Sequence, residues 1–421
     1  MKYVINILAL IATLTIQAYG QNSINDFDKY ERGNFTSIRK EIRRLSEGKA
    51  TSVEQIADFI NSVCSSDLDK AYAAYYWVST NITYDMKALK AKQQISDRPS
   101  AVLRTKLAVC SGYAHLLNSI CTELTIRSKI VDGYSKGYGY AEGDNFTMSN
   151  HSWNLILINN RWYPVDATWA SPNNNSEEFS NYNPDPLVYF MPSPKTFIID
   201  HLPEDPQLQL LSPIITLDLF EKSEKEIKNQ IRYALVINKN EDSYLNYEDI
   251  AAHEVAMKER ALAFNPNNKQ AVYKLGLALL YQALDTMETI QNLRYDNVLE
   301  ELPKYKYRTY ELLDKAAHHF EAVTKSSGKE LYESAQSFLQ EVTYQKGVFN
   351  YEASQIIYDK TLSISREDIL PRMDLINKAM NQYYDIAMEY FNTISSNSWY
   401  FEDSQHYIQI INQERDNTLV K

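Results

Sequence analysis

The spacing of apolar and polar residues divides most of this 421-residue chain into two parts. Between residues 51 and 215, helical spacing alternates with short runs of β-branched and aromatic residues. After Leu219 the helical period dominates, and glycine and proline become rare. The pattern predicts an α+β domain over residues 51–215, followed by an all-α domain over residues 216–421.

Local signals predict three helices before residue 81 and, outside the hairpin described below, two strands, of which the first covers residues 127–134. A short helix is expected around residues 37–45, and Ser52 is the predicted N-cap of a second helix. A stripe of apolar residues predicts a third helix over residues 70–80. The apolar run at residues 197–199 predicts a strand. These elements are expected to be scaffold.

Two apolar runs on either side of Asn159-Asn160 predict a β-hairpin. Both runs, residues 151–158 and 161–166, are rich in β-branched and aromatic side chains, and an asparagine pair tolerates the positive φ of a two-residue turn. With that turn, His151 and Asp166 lie on the same face of the hairpin, one diagonal step apart. We therefore predict that the imidazole of His151 meets the carboxylate of Asp166.

A lone cysteine, Cys110, opens the next candidate helix. Pro99 breaks any preceding helix, and apolar residues then recur with helical period to Leu124. The first turn of a helix has unpaired N–H groups and the positive end of the macrodipole, which favour a thiolate and can bind an oxyanion. Cys110 is therefore the candidate nucleophile, with His151 as its base and Asp166 orienting the ring.

Other residues compete for roles near this site. His115 is the alternative base, but five residues after Cys110 it lies roughly 140° around the helix and points elsewhere. Trp153 and Trp169 are candidate walls of a substrate groove, with packing in the hairpin core as an equal alternative. A buried cysteine or a strand histidine alone is usually structural, so the combination with Asp166 carries the prediction.

The segments around these three residues resemble a known family. They are similar to the Cys, His and Asp blocks of the transglutaminase-like superfamily, and most similar to its bacterial branch related to kyphoscoliosis peptidase. Residues 77–85 and 201–206 also resemble that branch. Ala108, where glycine is expected, and Ser152, where alanine is usual, depart from the pattern without removing a reacting group. The blocks read Ala108-Val109-Cys110-Ser111-Gly112-Tyr113-Ala114, Asn150-His151-Ser152-Trp153-Asn154 and Val165-Asp166-Ala167-Thr168-Trp169.

The resemblance implies a papain-related α+β core, in which the helix bearing Cys110 packs on an antiparallel sheet. It also implies acyl transfer through a thioester between Cys110 and a peptide or carboxamide carbonyl. Hydrolysis by a protease or amidase is the expected direction, since no acceptor tunnel that excludes water is evident from sequence. The alternative is a non-catalytic module that binds protein. No acidic loop has calcium-ligand spacing, so we expect neither a metal nor a cofactor.

The all-α part resembles tetratricopeptide repeats at one junction. Residues 261–268, Ala-Leu-Ala-Phe-Asn-Pro-Asn-Asn, precede a helical run that reaches Gly276. A plain helical bundle is the alternative, because the later echoes are irregularly spaced. A concave helical surface would suit a protein partner. The echoes are Ala316, Ala317, Phe320, Ala379, Ala387 and Phe391.

The first twenty residues have the pattern of a secretory signal peptide. Lys2 precedes an apolar run, and Ala18-Tyr19-Gly20 forms a small-x-small cleavage site. The run is too short to span a bilayer, although a retained N-terminal anchor is the alternative. We expect a secreted or periplasmic protein with no membrane span after removal of residues 1–20, and residues 21–50 as an N-terminal lead.

Net charge limits the classes of binding partner, and the cysteine content limits the disulfides that can form. The net charge of −11 comes with scattered basic residues, which argues against nucleic acid and leaves a protein or peptide substrate. Three cysteines are too few for a disulfide scaffold. Cys110 and Cys121 lie roughly 16 Å apart on one predicted helix and cannot bond to each other. A bond between Cys64 and Cys121 and a pair of buried free thiols both stay open.

Overall fold

The structure is a computed structural model that describes residues 35–47, 51–91, 95–137, 139–172, 187–237, 250–290, 298–362 and 365–417. The chain divides into two compact units, Met1–Asn246 and Tyr247–Lys421. The predicted signal peptide, and the lead up to residue 34, lie outside the described residues. Within the described ranges, no helix is both long and apolar enough to cross a membrane.

Short helices and strands alternate in the first unit. Ser52 caps α2 as predicted, because its side chain accepts a hydrogen bond from the Gln55 N–H. The three helices predicted near the start of the unit are confirmed as α1, α2 and α3. The described helices are α1 (Phe35–Glu47), α2 (Val53–Val63), α3 (Asp67–Asn81), α4 (Met86–Ala91), α5 (Pro99–Thr105), α6 (Cys110–Glu123), α7 (Pro194–Phe197), α8 (Leu217–Phe220) and α9 (Glu224–Ile231).

A four-stranded antiparallel sheet in the order β5-β4-β3-β6 forms the centre of this unit. Two smaller pairs accompany it: β1 with β2, parallel, and β7 with β8, antiparallel. The second pair joins residues on both sides of the predicted domain limit at residue 215. The strands are β1 (Thr83–Tyr84), β2 (Leu107–Ala108), β3 (Ser128–Ser135), β4 (His151–Ile158), β5 (Arg161–Val165), β6 (His201–Pro203), β7 (Leu211–Ser212) and β8 (Leu235–Val236).

The predicted hairpin is confirmed as β4 and β5. Ile158 pairs with Arg161, which leaves a loop of two residues. Asn159 and Asn160 have φ angles of 49° and 60°, as a two-residue turn of this type requires. The predicted register is therefore correct, although β5 ends one residue before Asp166.

The strand predicted at residues 197–199 is wrong. Pro194 opens the short helix α7, and the Ser193 side chain accepts a hydrogen bond from the Lys195 N–H. These helix-start signals outweigh the β propensity of the apolar run. The strand lies just downstream as β6, which begins at His201 and pairs with β3.

Helix α6 packs on β3 and β4, with α2 and α3 also against it. Its apolar positions, among them Leu117 and Ile120, are fully buried. The Asn154 side chain in β4 donates a hydrogen bond to the Ala114 carbonyl, 3.0 Å away, and so ties the helix to the sheet. The predicted α+β core, with the helix bearing Cys110 on an antiparallel sheet, is confirmed.

All described regular structure in the second unit is helical, whereas β8, inside the range predicted to be all-α, belongs to the first unit. The long helices of the second unit pack mainly on their neighbours in sequence: α10 on α11, α11 on α12, α12 on α13, α13 on α15 and α15 on α16. The helices are α10 (Ile250–Phe264), α11 (Lys269–Ile290), α12 (Val298–Glu321), α13 (Lys329–Leu362), α14 (Arg366–Ile369), α15 (Met373–Asn392) and α16 (Phe401–Asn417).

The same kind of packing contact, a phenylalanine ring on a glycine, occurs in two helix pairs of this unit. A Cβ on Gly276 of α11 would lie 2.8 Å from the Phe320 ring of α12, and a Cβ on Gly347 of α13 would lie 2.5 Å from the Phe391 ring of α15. Each phenylalanine follows its glycine by the same number of residues. The same glycine–phenylalanine contact thus recurs in two helix pairs, while the tetratricopeptide character of the unit stays a prediction.

Candidate active site

Cys110 is the first residue of α6, as predicted. No side chain caps this helix end, because the N-cap residue is Val109. The N-cap residue therefore leaves the N–H groups of the first turn to other partners, and a substrate oxygen can be one of them. Strand β2 leads into the helix, and Tyr84 of β1 pairs with Ala108 of β2. This parallel pair brings the end of α3 next to the nucleophile.

The other two cysteines differ from Cys110 in burial. All three thiols are free, so Cys64 and Cys121 form two buried thiols and no disulfide. Burial raises the pKa of Cys64 to about 11 and that of Cys121 to about 12. Cys110 is half-buried. Cys110 is therefore the cysteine whose thiol a substrate can reach.

His151 and Asp166 make the contact that the hairpin register predicts. His151 Nε2 lies 2.7 Å from Asp166 Oδ2, and both side chains are buried. Asp166 is oriented by its other oxygen, because Oδ1 accepts the N–H groups of Thr168 and Trp169 at 2.7 and 3.1 Å. The Asp166 N–H in turn donates to the Tyr189 carbonyl at 3.0 Å. The carboxylate is thus held before any substrate arrives.

His151 also forms a hydrogen bond with the Cys110 side chain. Because Nε2 is taken by Asp166, this contact uses Nδ1 of the ring. The structure therefore brings together all three residues predicted as a triad. His115, the alternative base, lies away from them and faces Asp97 at 3.5 Å on a half-exposed surface.

The ionisation of the buried pair follows from its contacts. Burial alone lowers the pKa of His151, but the charge and hydrogen bond of Asp166, with a smaller contribution from Cys110, raise it well above its ordinary value. Burial alone raises the pKa of Asp166, and the two neighbouring histidines, His151 first, lower it far below its ordinary value. The pair is therefore an imidazolium and a carboxylate.

Neighbouring strands position His151. Asn150 makes two hydrogen bonds to the backbone of Ser135, one through its amide nitrogen at 2.9 Å and one through its amide oxygen at 2.7 Å. Gly133 pairs with His151 on one side of β3 and with Pro203 of β6 on the other. The site thus lies at Gly133, where β4 and β6 pair with β3 from opposite sides.

His201 is a site residue that local sequence patterns did not indicate. Its Nε2 lies 3.0 Å from Asp166 Oδ2, and its Nδ1 lies 2.6 Å from Asp200 Oδ1. The ring is fully buried and stacks on Phe197, with 4.0 Å between ring centroids. The sequence signal for His201 is that residues 201–206 resemble the family, although no local pattern assigns a role to this histidine.

Tyr84 is a second site residue for which the sequence predicted only a structural role, at the end of a helix. Its hydroxyl forms hydrogen bonds with both the backbone and the side chain of Cys110. Burial, and then the neighbouring Cys110, raise the pKa of this phenol far above its ordinary value, so it stays protonated. Its ring stacks beside that of Tyr113 at 6.4 Å. The hydroxyl therefore stands beside the reacting sulfur.

The two tryptophans differ in position. Trp153 is only 1% exposed, and its ring packs edge-on against His201 and Phe197. Helix α7 and strand β6 cover this face of β4, so Trp153 packs in the core. The expectation that it forms a wall of the substrate groove is therefore wrong. Trp169 is half-buried, and its ring centroid lies 5.7 Å from that of His151. Its role in binding substrate stays a prediction.

His151, Asp166 and His201 are also residue types that ligate metals. Among the described residues they form a group whose candidate ligand atoms lie within 4.8 Å of one another. Both histidines, however, direct Nε2 at the same carboxylate oxygen, at 2.7 and 3.0 Å. These are hydrogen-bond distances that the shared protons explain. The group is therefore a hydrogen-bonded cluster.

Comparison with known proteins agrees with this geometry. The family model described as the transglutaminase-like superfamily matches residues 54–167. That range contains Tyr84, Cys110, His151 and Asp166, and ends before His201. The matched segment thus includes the whole predicted triad.

Curated relatives are similar to about two fifths of the chain. Kyphoscoliosis peptidase of Mus musculus is 35% identical over 174 residues, which are 40% of this chain and 26% of that protein. The Homo sapiens protein of the same name is 34% identical with the same coverage. Hillarin of Drosophila melanogaster is 26% identical over 172 residues, 38% of this chain and 20% of that protein. The chain thus spans about a quarter or less of the length of these relatives.

Proposed function

Because residues 54–167 match the model of the transglutaminase-like superfamily, we propose that this chain is a cysteine enzyme that transfers acyl groups from peptide or carboxamide carbonyls. The observation that carries the proposal is the convergence of Cys110, His151 and Asp166. Their contacts are those of a nucleophile, its base and the group that orients the base.

The reaction begins from the ion pair in which His151 already holds the proton of the Cys110 thiol on Nδ1. The thiolate then attacks the carbonyl carbon, which forms a C–S bond while the C=O electron pair moves to oxygen. When this tetrahedral intermediate collapses, the C–N bond breaks and His151 returns the proton to the leaving amine. Asp166 keeps the ring oriented and stabilises its cationic form throughout.

The oxyanion of the intermediate needs donors beside the sulfur. The Cys110 N–H at the start of α6 is one. The Tyr84 hydroxyl is the second: it contacts this N–H and the sulfur in the free enzyme, and its raised pKa keeps a proton available for donation. When substrate binds, the oxyanion replaces the Tyr84 oxygen as acceptor of the Cys110 N–H, and the Tyr84 hydroxyl donates to the oxyanion.

Water is the proposed acceptor of the acyl group. In the second half of the reaction His151 takes a proton from water, the oxygen attacks the thioester carbon, and the C–S bond breaks to release the acid and free Cys110. The mouse and human relatives bear the name peptidase, which supports hydrolysis. We propose a protein or peptide substrate, and action in a secreted or periplasmic location after removal of residues 1–20.

The second candidate function is binding without catalysis. The sequential packing of helices in the second unit favours it, because stacked helices present extended surfaces to protein partners. In that case the triad would be retained without turnover, and the helical unit would carry recognition.

Selective alkylation separates the two functions. Iodoacetamide at pH 6, followed by peptide mapping, should label Cys110 and leave Cys64 and Cys121 unlabelled as internal controls. His151→Ala should abolish the labelling at this pH, because the ion pair that holds the thiolate is lost. Labelling of Cys110 no faster than that of an unstructured thiol would favour the binding module.

Turnover is tested with a peptide library. The purified protein should cleave a subset of peptides, and Cys110→Ala should cleave none. Cross-linked products in place of cleavage products would identify an amine acceptor instead of water. Absence of both, with Cys110 unreactive, would refute the enzyme proposal.

A further inference from the structure

Asp166 carries more hydrogen bonds than a triad needs. Its Oδ2 accepts from His151 Nε2 at 2.7 Å and from His201 Nε2 at 3.0 Å, while Oδ1 accepts two backbone N–H groups. All lone pairs of the carboxylate are thereby used. His201 thus competes with His151 for the same oxygen.

The charge of His201 follows from its two contacts. Each ring nitrogen faces a carboxylate oxygen, at 3.0 Å for Asp166 and 2.6 Å for Asp200. A neutral imidazole has one N–H, so only the doubly protonated ring can donate to both. The two contacts therefore fit a doubly protonated ring between two carboxylates.

A series of alternating charges results. With a doubly protonated His201 ring, it runs from the His151 cation and the Asp166 anion through His201 to the carboxylate of Asp200. The His201 side chain is 0% exposed, while that of Asp200 is 33% exposed. The buried charges thus end on a carboxylate that reaches solvent.

Packing leaves the His201 ring no freedom to turn away. The ring lies parallel to Phe197 and 4.0 Å from it, and 4.3 Å from the Trp169 ring on another side. Its backbone pairs with Ser135 of β3. The titratable groups around it are Asp166, Asp200, His151 and Tyr189, with Lys136 close to Asp200.

We propose that His201 is a positioning residue that sets the basicity of His151 through Asp166, and that Asp200 keeps His201 protonated. The role in catalysis rests on the proposed function, whereas the charge state does not. A cation beside Asp166 weakens the pull of its carboxylate on the His151 proton. His151 can therefore return that proton to the leaving amine more readily than it could beside an isolated buried carboxylate.

The charge state is tested by NMR on protein with ¹⁵N-labelled histidine. Both ring nitrogens of His201 should have protonated resonances at pH 7, assigned by their loss in His201→Gln. In Asp200→Asn, Nδ1 should lose its proton while Nε2 keeps its contact with Asp166. A single protonated nitrogen in the wild-type ring at pH 7 would overturn the proposal, whatever the activity.

The positioning role is tested by the pH profile of kcat/KM. In His201→Gln, the Gln amide replaces the cation with a neutral donor, so the alkaline limb, where His151 loses its proton, should move to higher pH. We expect kcat to fall about 10- to 100-fold, from the loss of a charged hydrogen bond, with KM little changed. His115→Gln is the matched control and should keep the wild-type profile.

The outcomes separate the two proposals. An alkaline limb in His201→Gln that coincides with the wild-type limb would refute the positioning role, because a merely structural defect lowers the amount of folded enzyme without moving the limb. Lack of turnover by the wild type would refute the proposed function instead, and the NMR measurement would still decide the charge of His201.

Discussion

Gly133 lies directly opposite His151 in the register of β3 and β4, at a point where no side chain fits. A Cβ there would come within 2.3 Å of the Leu202 carbonyl oxygen in β6 and within 2.4 Å of the Trp153 ring. Two strands that carry site histidines thus approach the same backbone position.

The first prediction concerns this close approach. Gly133→Ala should lower the free energy of unfolding by about 1–3 kcal/mol, because the added methyl must push backbone and a buried ring apart. Urea denaturation followed by tryptophan fluorescence measures the change. Lys129→Ala in the same strand is the control and should change the value by less than about 1 kcal/mol. Equal stability of both variants would contradict the predicted clash.

The second prediction concerns Asp166. Asp166→Asn should lower kcat by up to about 10⁴-fold, because an amide leaves the His151 ring without its counter-charge and favours the wrong tautomer. The backbone N–H groups of Thr168 and Trp169 can still donate to the amide oxygen, so the fold should persist. Circular dichroism checks the fold, and progress curves with a cleaved peptide measure kcat. A loss below tenfold would remove Asp166 from the mechanism.

The third prediction concerns stability and pH. The pKa of His151 is raised from 6.5 on folding, so its contribution to stability is fully present below pH 6.5 and is lost as the pH rises through the folded value. The pKa of Asp166 is lowered from 3.8, so its contribution is present above pH 3.8 and is lost as the pH falls through the folded value. The contribution of this pair to the free energy of unfolding should therefore be greatest between pH 3.8 and pH 6.5.

Denaturation of the wild type and of His151→Gln across pH measures this effect. The difference in unfolding free energy between them should be largest near pH 5–6 and should shrink as the solution becomes alkaline. A difference that instead grows with increasing pH would show that the histidine is buried in its neutral form.

The fourth prediction concerns the Tyr84 hydroxyl. Tyr84→Phe should lower kcat about 10²- to 10³-fold through loss of one oxyanion donor, with KM little changed. Alkylation of Cys110 at pH 6 should persist, because the His151 contact is intact. Tyr113→Phe is the matched control: it removes a buried hydroxyl 2.8 Å from the Ile82 carbonyl, which touches no reacting atom. Equal kcat losses in the two variants would exclude Tyr84 as a donor.

Local sequence patterns determined the part of the site that lies within short stretches of chain. The Asn159-Asn160 turn sets the hairpin register, and that register places His151 near Asp166. The helical period after Cys110 places the thiol in the first turn of α6. Each relation depends on backbone periodicity over a few residues, so it could be predicted from the sequence without knowledge of the fold.

Only the tertiary structure decided which distant groups complete the site. Tyr84 reaches Cys110 because β1 pairs with β2, and His201 reaches Asp166 because β6 pairs with β3. Trp153 is core because α7 and β6 cover its face of the sheet. Pairings between strands far apart in the chain depend on how the whole core packs, and the periodicity of a single segment carries no information about them.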